Sequence, residues 1–311
     1  MDRREEGIVT VKSSPTLMHQ DSGEDAIKSA FERARAEGRG ALIGYLTAGD
    51  PSPKHTPTLC RALIEGGVDI LELGIPFSDP IADGPTIQAA SVRALESKTT
   101  PSDCLEIAKQ IKQDSLAIRN EPVPMIFLTY YNSIFRFGLD SFSSKARAAG
   151  IDGIVVPDLP QLGSAEFSRY TCAERKNQLA TILLATPTTT EERLHSILAE
   201  TRGFLYLVSL LGVTGVKRGN ERSSSASADF IRRKCEVAHK RASMPVAVGF
   251  GISQPAHVQR VLNSGADGAI VGSAFVNIVA ENLHDIDKAS KDLKEFTQSL
   301  QKATYMHRSM P

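Results

Sequence analysis

A chain of 311 residues can hold two average domains or one large α/β barrel. Its 36 basic side chains balance 36 acidic ones, so overall charge gives no reason to expect a nucleic-acid or membrane partner. Cys60, Cys104, Cys172 and Cys235 are scattered, with no CxxC pair and no His at finger-like spacing. That excludes the usual zinc and disulfide frameworks and favours free thiols in a reducing compartment, taken to be the cytoplasm. No stretch approaches 18 consecutive apolar residues, as a spanning helix requires. The first residues lack an apolar leader core, and Asp2, Glu5 and Glu6 do not suit a transit peptide. Residues 1–23 read as a polar, disordered extension, 24–304 as one folded unit and 305–311 as a tail.

From Glu24 onward, short β-branched runs alternate with longer amphipathic stretches. A leading helix is expected over Glu24–Glu37. Strands follow at Ala41–Thr47, Asp69–Gly74, Pro124–Tyr130, Asp152–Pro157, Thr181–Thr186, Phe204–Ser209, Pro245–Phe250 and Gly268–Gly272. Between them, helices are expected at Pro57–Glu65, Ile87–Glu96, Ser102–Lys112, Leu139–Ala149, Thr190–Glu200 and Ala256–Ser264, with a last one over Ile286–Ala303. The strand runs lack polar alternation, which fits a parallel sheet buried on both faces. A phrase of helix, Gly, one residue, Asp and strand recurs in EGGVD, AAGIDG and NSGADG, where Gly suits a left-handed helix end. Eight repeated βα units favour a closed (β/α)8 TIM barrel in a single domain, its bottom capped by the leading helix, over an open doubly wound sheet.

In such a barrel the chemistry sits at the C-terminal strand ends and the loops that follow. Glu72 lies inside an otherwise apolar strand, and a buried carboxylate is costly unless it is paired with a core cation or used. Asp83 follows eleven residues later in a loop rich in Pro and Gly. Standing before Gly84-Pro85 it also suits a helix N-cap, but the two carboxylates can face one pocket and divide acid and base work. Glycines end the last two strands, each before a small residue and a helix. Gly249, Gly251, Gly272 and Ser273, with Gly215 from an earlier loop, offer bare backbone N–H groups in the usual phosphate position of this barrel. A phosphorylated small substrate is expected. The polar stretch Leu210–Ala228 is too long for an ordinary connection and reads as a mobile lid. His195, His239 and His257 fall in helical segments and are expected to face solvent. No nucleophile triad, metal cluster or Walker loop is present in the sequence.

LELGIPFSDPIADGPTIQ (Leu71–Gln88) closely resembles the signature of the tryptophan synthase alpha subunit family. GYLTAGDP (Gly44–Pro51), LTYYN (Leu128–Asn132), YLVSLLGVTG (Tyr206–Gly215), GFGIS (Gly249–Ser253) and VGSA (Val271–Ala274) match the same family in order. The resemblance implies retro-aldol cleavage of indole-3-glycerol phosphate to indole and glyceraldehyde 3-phosphate, a lyase reaction of tryptophan biosynthesis. It implies Glu72 as the acid–base group and Asp83 as acceptor of the indole N–H. It places Tyr206 beside Glu72, links Thr214 to Asp83, and makes apolar walls of Tyr45, Tyr130 and Phe250. Gly215, Gly251, Gly272 and Ser273 would hold the phosphate. No metal and no cofactor are implied for this chain. Pyridoxal phosphate would belong to a beta subunit that receives indole in an alpha2-beta2 assembly, contacting this chain around Pro76–Ala82 and Tyr131–Phe135. Two positions depart from the usual pattern: Leu210 stands where many relatives carry Arg, and Gln161-Leu162 where many carry an acidic pair.

Other readings use the same barrel: a self-sufficient indole-glycerol phosphate lyase, a non-catalytic allosteric partner, or an isomerase of another phosphorylated substrate. The intact Glu72 and Asp83 argue against the non-catalytic one.

Overall fold

The computed structural model describes residues 22–209, 221–249 and 251–305. The expected extension up to residue 21, and the expected site residues Thr214, Gly215 and Phe250, lie outside them. Helix α1 (Gly23–Ala36) starts where Ser22 accepts a hydrogen bond from the Asp25 N–H, with acids in its first turn and Arg33 and Arg35 in its last. Both placements complement the helix dipole.

The strands are β1 (Ala41–Thr47), β2 (Ile70–Gly74), β3 (Met125–Leu128), β4 (Gly153–Val155), β5 (Ala180–Ile182), β6 (Leu184–Ala185), β7 (Leu205–Val208), β8 (Val246–Gly249) and β9 (Gly268–Val271). All pairings among them are parallel, in the order β5-β4-β3-β2-β1-β9-β8-β7-β6. The fifth expected strand is therefore one strand in two pieces. β5 pairs with β4 and β6 with β7, and Leu183 between them accepts the Tyr206 N–H at 3.0 Å. Its two ends close the ring of a (β/α)8 barrel.

Helices follow the strands: α2 (Thr56–Gly66), α3 (Pro85–Glu96), α4 (Pro101–Arg119), α5 (Tyr131–Phe137), α6 (Leu139–Ala148), α7 (Ala165–Lys176), α8 (Glu191–Glu200), α9 (Glu221–Ala242), α10 (Pro255–Asn263), α11 (Ser273–Glu281) and α12 (Ile286–Lys302). One expectation needs correcting. The second half of the stretch read as a lid, from Glu221 on, is the start of α9. The Ser-rich run there is interleaved with Ala and continues into a buried stripe of Ile231, Cys235 and Ala238 at helical spacing, so packing of the later turns carries the helix upstream.

Two apolar layers result from the pleat. One face of the strands packs outward against the helices. The other fills the barrel with Ala41, Ile43, Ile70, Ile126, Val155, Ile182, Phe204, Ala247 and Ile270, and α1 plugs the bottom with Ile27, Ala30 and Phe31. Because side chains alternate with period two, Glu72 shares the inward face of Ile70, as Tyr45 shares that of Ile43 and Tyr206 that of Phe204. The position of Glu72 inside the barrel is thus dictated by the strand itself.

The recurring Gly-x-Asp phrase acts at the bottom of the barrel. Gly67, Gly150 and Gly265 have φ of 110°, 90° and 98°, the left-handed region expected for them. The Asp that follows each one clamps the preceding strand's first residues twice. Asp69 donates its N–H to the Leu42 carbonyl at 2.8 Å and accepts the Leu42 N–H at 2.8 Å. Asp152 does the same to Met125 and Asp267 to Val246. Each carboxylate also takes basic partners: Arg39 for Asp69, Lys112 and Arg147 for Asp152, Arg35 and His239 for Asp267. His239, though exposed, is thereby tied to the barrel at 2.6 Å rather than simply facing water.

Candidate active site

The top of the barrel holds a cavity of about 600 Å³ lined by Tyr45, Glu72, Asp83, Thr86, Leu128, Tyr206, Gly251, Ile252, Gly272 and Ser273 among others. Of the residues singled out in the sequence, Glu72, Asp83, Tyr45, Tyr206, Gly251, Gly272 and Ser273 meet here. A second cavity of about 540 Å³ adjoins it, sharing Ala82, Asp83, Leu128 and Tyr206. Its walls are mainly apolar: Val156, Pro157, Leu159, Leu183, Leu184 and Val208. The sequence reading missed this lobe. Its signal was the inward position, since Leu128 lies two residues after Ile126 and Leu184 two after Ile182.

Glu72 is 1% exposed, and neither carboxylate oxygen has a hydrogen-bond partner among the described residues. Among the described residues it makes no ion pair. Loss of hydration, reinforced by the charge of Asp83, pushes its pKa up to about 8, so the carboxyl is mostly neutral at pH 7. Asp83 is also raised by burial, to about 6, while a hydrogen bond from Tyr130 favours its charged form. It is mostly ionised at pH 7. One carboxyl is thus a proton donor and its neighbour an anion, the separation that acid–base sites use.

The loop carrying Asp83 is held from several sides. The N-cap of α3 is Gly84, with no side-chain cap bond, and Pro85 follows it. The Asp83 carboxylate is therefore not spent on capping. The Tyr130 hydroxyl accepts the Ala82 N–H at 3.1 Å, and its ring stacks on Phe77 at 4.9 Å between centroids. Tyr130 is 1% exposed and lines neither cavity; it supports the Asp83 loop from behind instead of forming a wall. Farther along, Arg93 of α3 forks onto Asp50 with two bonds of 2.7 Å, fixing the helix to the loop after β1.

Two glycines make room for the tyrosines. A Cβ on Gly74 would lie 2.0 Å from the Tyr45 hydroxyl, which is 3.1 Å from Thr47 Oγ1. A Cβ on Gly249 would lie 2.8 Å from the Tyr206 ring. Gly249, grouped in the sequence with the anion-binding glycines, is thus a seat for Tyr206. Gly251, at φ 73°, Gly272 and Ser273 remain at the cavity wall, where Gly272 is the N-cap of α11 and Ser273 its first residue. A helix N-terminus with bare backbone N–H groups suits an anion. Among the described residues no group of three or more His, Cys, Asp or Glu could hold a metal ion. None of the described helices is long and apolar enough to cross a membrane.

Residues 31–305 match the family model described as tryptophan synthase alpha chain. The chain belongs to this family. It is 44% identical to the tryptophan synthase alpha chain of Methanopyrus kandleri, covering 88% of this chain and 93% of that one. Against the Arabidopsis thaliana alpha chain the identity is 40%, covering 92% and 98%. Tryptophan synthase subunit alpha from Legionella pneumophila superimposes with a TM-score of 0.76 at 33% identity, covering 90% and 98%. A Mycobacterium tuberculosis tryptophan synthase structure gives 0.75 at 30%, covering 90% and 99%. The chain is accordingly a lyase of tryptophan biosynthesis, cleaving indole-3-glycerol phosphate to indole and glyceraldehyde 3-phosphate on a TIM barrel.

Proposed function

We propose that Glu72 and Asp83 carry this cleavage, with the phosphate at the Gly251, Gly272 and Ser273 wall and the indole ring toward the apolar lobe beyond Leu128 and Tyr206. The observation that carries the reading is the buried, unpartnered Glu72 lining one cavity with Asp83, Gly251, Gly272 and Ser273. Glu72 gives its proton to indole C3, which makes a cationic indolenine whose N–H is stabilised by the Asp83 carboxylate. The bond between C3 and the hydroxyl-bearing carbon then breaks, its electrons returning to the ring. The hydroxyl proton passes to the Glu72 carboxylate as that carbon becomes the aldehyde, so Glu72 ends as it began. Tyr45 and Tyr206 wall the reacting carbons off from water. The residues need no metal or organic cofactor for these steps.

Thr214, Gly215 and Phe250 are assigned here by motif alone: Thr214 to Asp83, Gly215 to the phosphate, Phe250 to the ring. A beta subunit with pyridoxal phosphate is proposed as the indole acceptor, in a cytoplasmic alpha2-beta2 assembly. Its contact surface is the outer side of the Asp83 loop and α5. There Ile81 is 82% and Phe135 57% exposed, the latter stacked on Tyr131. This surface adjoins the site, since Ala82 of the same loop donates its N–H to Tyr130 and precedes Asp83.

The test is glyceraldehyde 3-phosphate release from indole-3-glycerol phosphate by the purified chain, with and without a beta subunit. A slow rate that rises at least tenfold with the partner supports the assembly. A fast, partner-independent rate makes the chain a free-standing lyase, and no release in either condition overturns the site.

A further inference from the structure

His257 does not simply face solvent. It is the third residue of α10, whose N-cap Gln254 makes no side-chain cap bond. Its ring instead reaches back over the turn that joins β8 to α10. Nδ1 lies 3.1 Å from the Gly251 carbonyl oxygen and 3.3 Å from the Ser253 N–H nitrogen. His257 is at the position whose Glu or Gln reaches back to the N-cap N–H in a capping box, but its ring goes beyond the N-cap to Ser253 and Gly251. With a proton on Nδ1 the ring donates to Gly251; without one it accepts from Ser253. Either tautomer ties the ring to the same three-residue turn.

That turn forms part of the cavity wall through Gly251 and Ile252. Gly251 has φ 73°, a conformation with little intrinsic stiffness in glycine. In a trans peptide the C=O and the following N–H point in opposite directions. A bond that draws the Gly251 carbonyl toward α10 therefore turns the Ile252 N–H away from α10.

We infer that His257 is a positioning residue for substrate phosphate, fixing the Gly251–Ser253 turn so that its backbone N–H groups are set for the anion before substrate arrives. It touches neither substrate nor the reacting atoms, and the inference rests on the phosphate placement proposed above. Preorganisation of this kind acts on binding, because the phosphate keeps its charge and place throughout the reaction.

The test compares wild type with His257→Ala and His257→Gln, measuring kcat and KM for indole-3-glycerol phosphate and competitive inhibition by glycerol 3-phosphate. Loss of one such bond should raise KM, and weaken the inhibitor, by about fivefold to tenfold in the Ala variant. Its kcat should stay within about twofold, since the bond is the same in ground and transition states. The Gln variant, whose side-chain amide can donate to the Gly251 carbonyl or accept the Ser253 N–H, should recover most of the loss. An unchanged KM in the Ala variant, a fall in kcat alone, or no recovery by Gln overturns the inference while leaving the phosphate site intact. Failure of glycerol 3-phosphate to compete in wild type overturns the phosphate placement itself, and this role of His257 with it.

Discussion

At the scale of single residues, the site depends on two carboxyls made different by their surroundings. Both start from ordinary carboxylate values, and burial raises each, Glu72 to about 8 and Asp83 to about 6. The reaction needs Glu72 protonated and Asp83 charged. As pH falls through about 6, Asp83 gains a proton and its stabilising charge is lost. As pH rises through about 8, Glu72 loses the proton it must donate. The expected kcat/KM profile for indole-3-glycerol phosphate is bell-shaped with limbs near those values, belonging to the coupled pair. Asp83→Asn should remove the acid limb and move the alkaline one to lower pH, because the charge that helps to raise Glu72 is gone; a profile flat from pH 5 to 9 in wild type contradicts the assignment. Glu72 was legible in the sequence because a charge in an apolar strand is conspicuous. Tyr130, a wall by resemblance, lines neither cavity and stands behind the Asp83 loop, a placement that its position in the sequence does not reveal. Its hydroxyl bond to Ala82 is a long-range contact between two loops.

At the scale of elements, the repeated Gly-x-Asp phrase ties the starts of β1, β3 and β8 to the strand that follows each. The barrel was readable from the count of eight βα units, with the phrase recurring in three of them. The division of the fifth strand at Leu183 was not readable, since Thr181–Thr186 is continuous in character. The upstream reach of α9 was missed because serine-rich stretches suit loops and the packing that favours the helix lies two turns later. The clamp itself is testable. Asp69 pairs with Arg39 at 2.7 and 2.8 Å, both side chains under 10% exposed. Asp69→Ala leaves the Leu42 N–H without its acceptor and strips the buried guanidinium of its main partner. It should destabilise the barrel by about 3–5 kcal/mol, seen as a lower urea midpoint. Asp69→Asn should cost less, because the amide oxygen still accepts. A midpoint for the Ala variant within experimental error of wild type would show the clamp to be dispensable.

At the scale of the whole molecule, function and stability pull apart. Glu174 sits fully buried between α6 and α7, where Ser143 donates to it at 3.1 Å, and burial pushes it up to about 8 as well. A carboxyl whose folded value is raised binds more protons in the folded chain than in the unfolded one. Its contribution is therefore complete below about pH 4.5, the ordinary value, and is lost as pH rises through about 8. Wild type should lose stability from pH 5 to 8.5 through Glu72 and Glu174 together. Glu174→Gln should flatten that slope, narrowing the difference in urea midpoint between pH 5.5 and 8.5, without altering the site. A variant whose midpoints fall in parallel with wild type would show that Glu174 does not titrate as described. The same reasoning makes Glu72 a cost to the fold, with a fully buried acid lacking any hydrogen-bond partner among the described residues. Unlike Glu174, which accepts a hydrogen bond from Ser143, Glu72 lines a cavity, the setting in which such a cost goes with function.

The measurement that tests this most directly is the rate of glyceraldehyde 3-phosphate release from indole-3-glycerol phosphate by Glu72→Gln against wild type, with urea midpoints of both at pH 8. Glutamine keeps the shape and removes the proton that moves. The variant should lose activity by about a thousandfold or more, in keeping with the loss of a group that serves as both acid and base. It should also be at least as stable as wild type at that pH. Activity within about tenfold of wild type, in a folded variant, would contradict the role of Glu72 and the mechanism built on it.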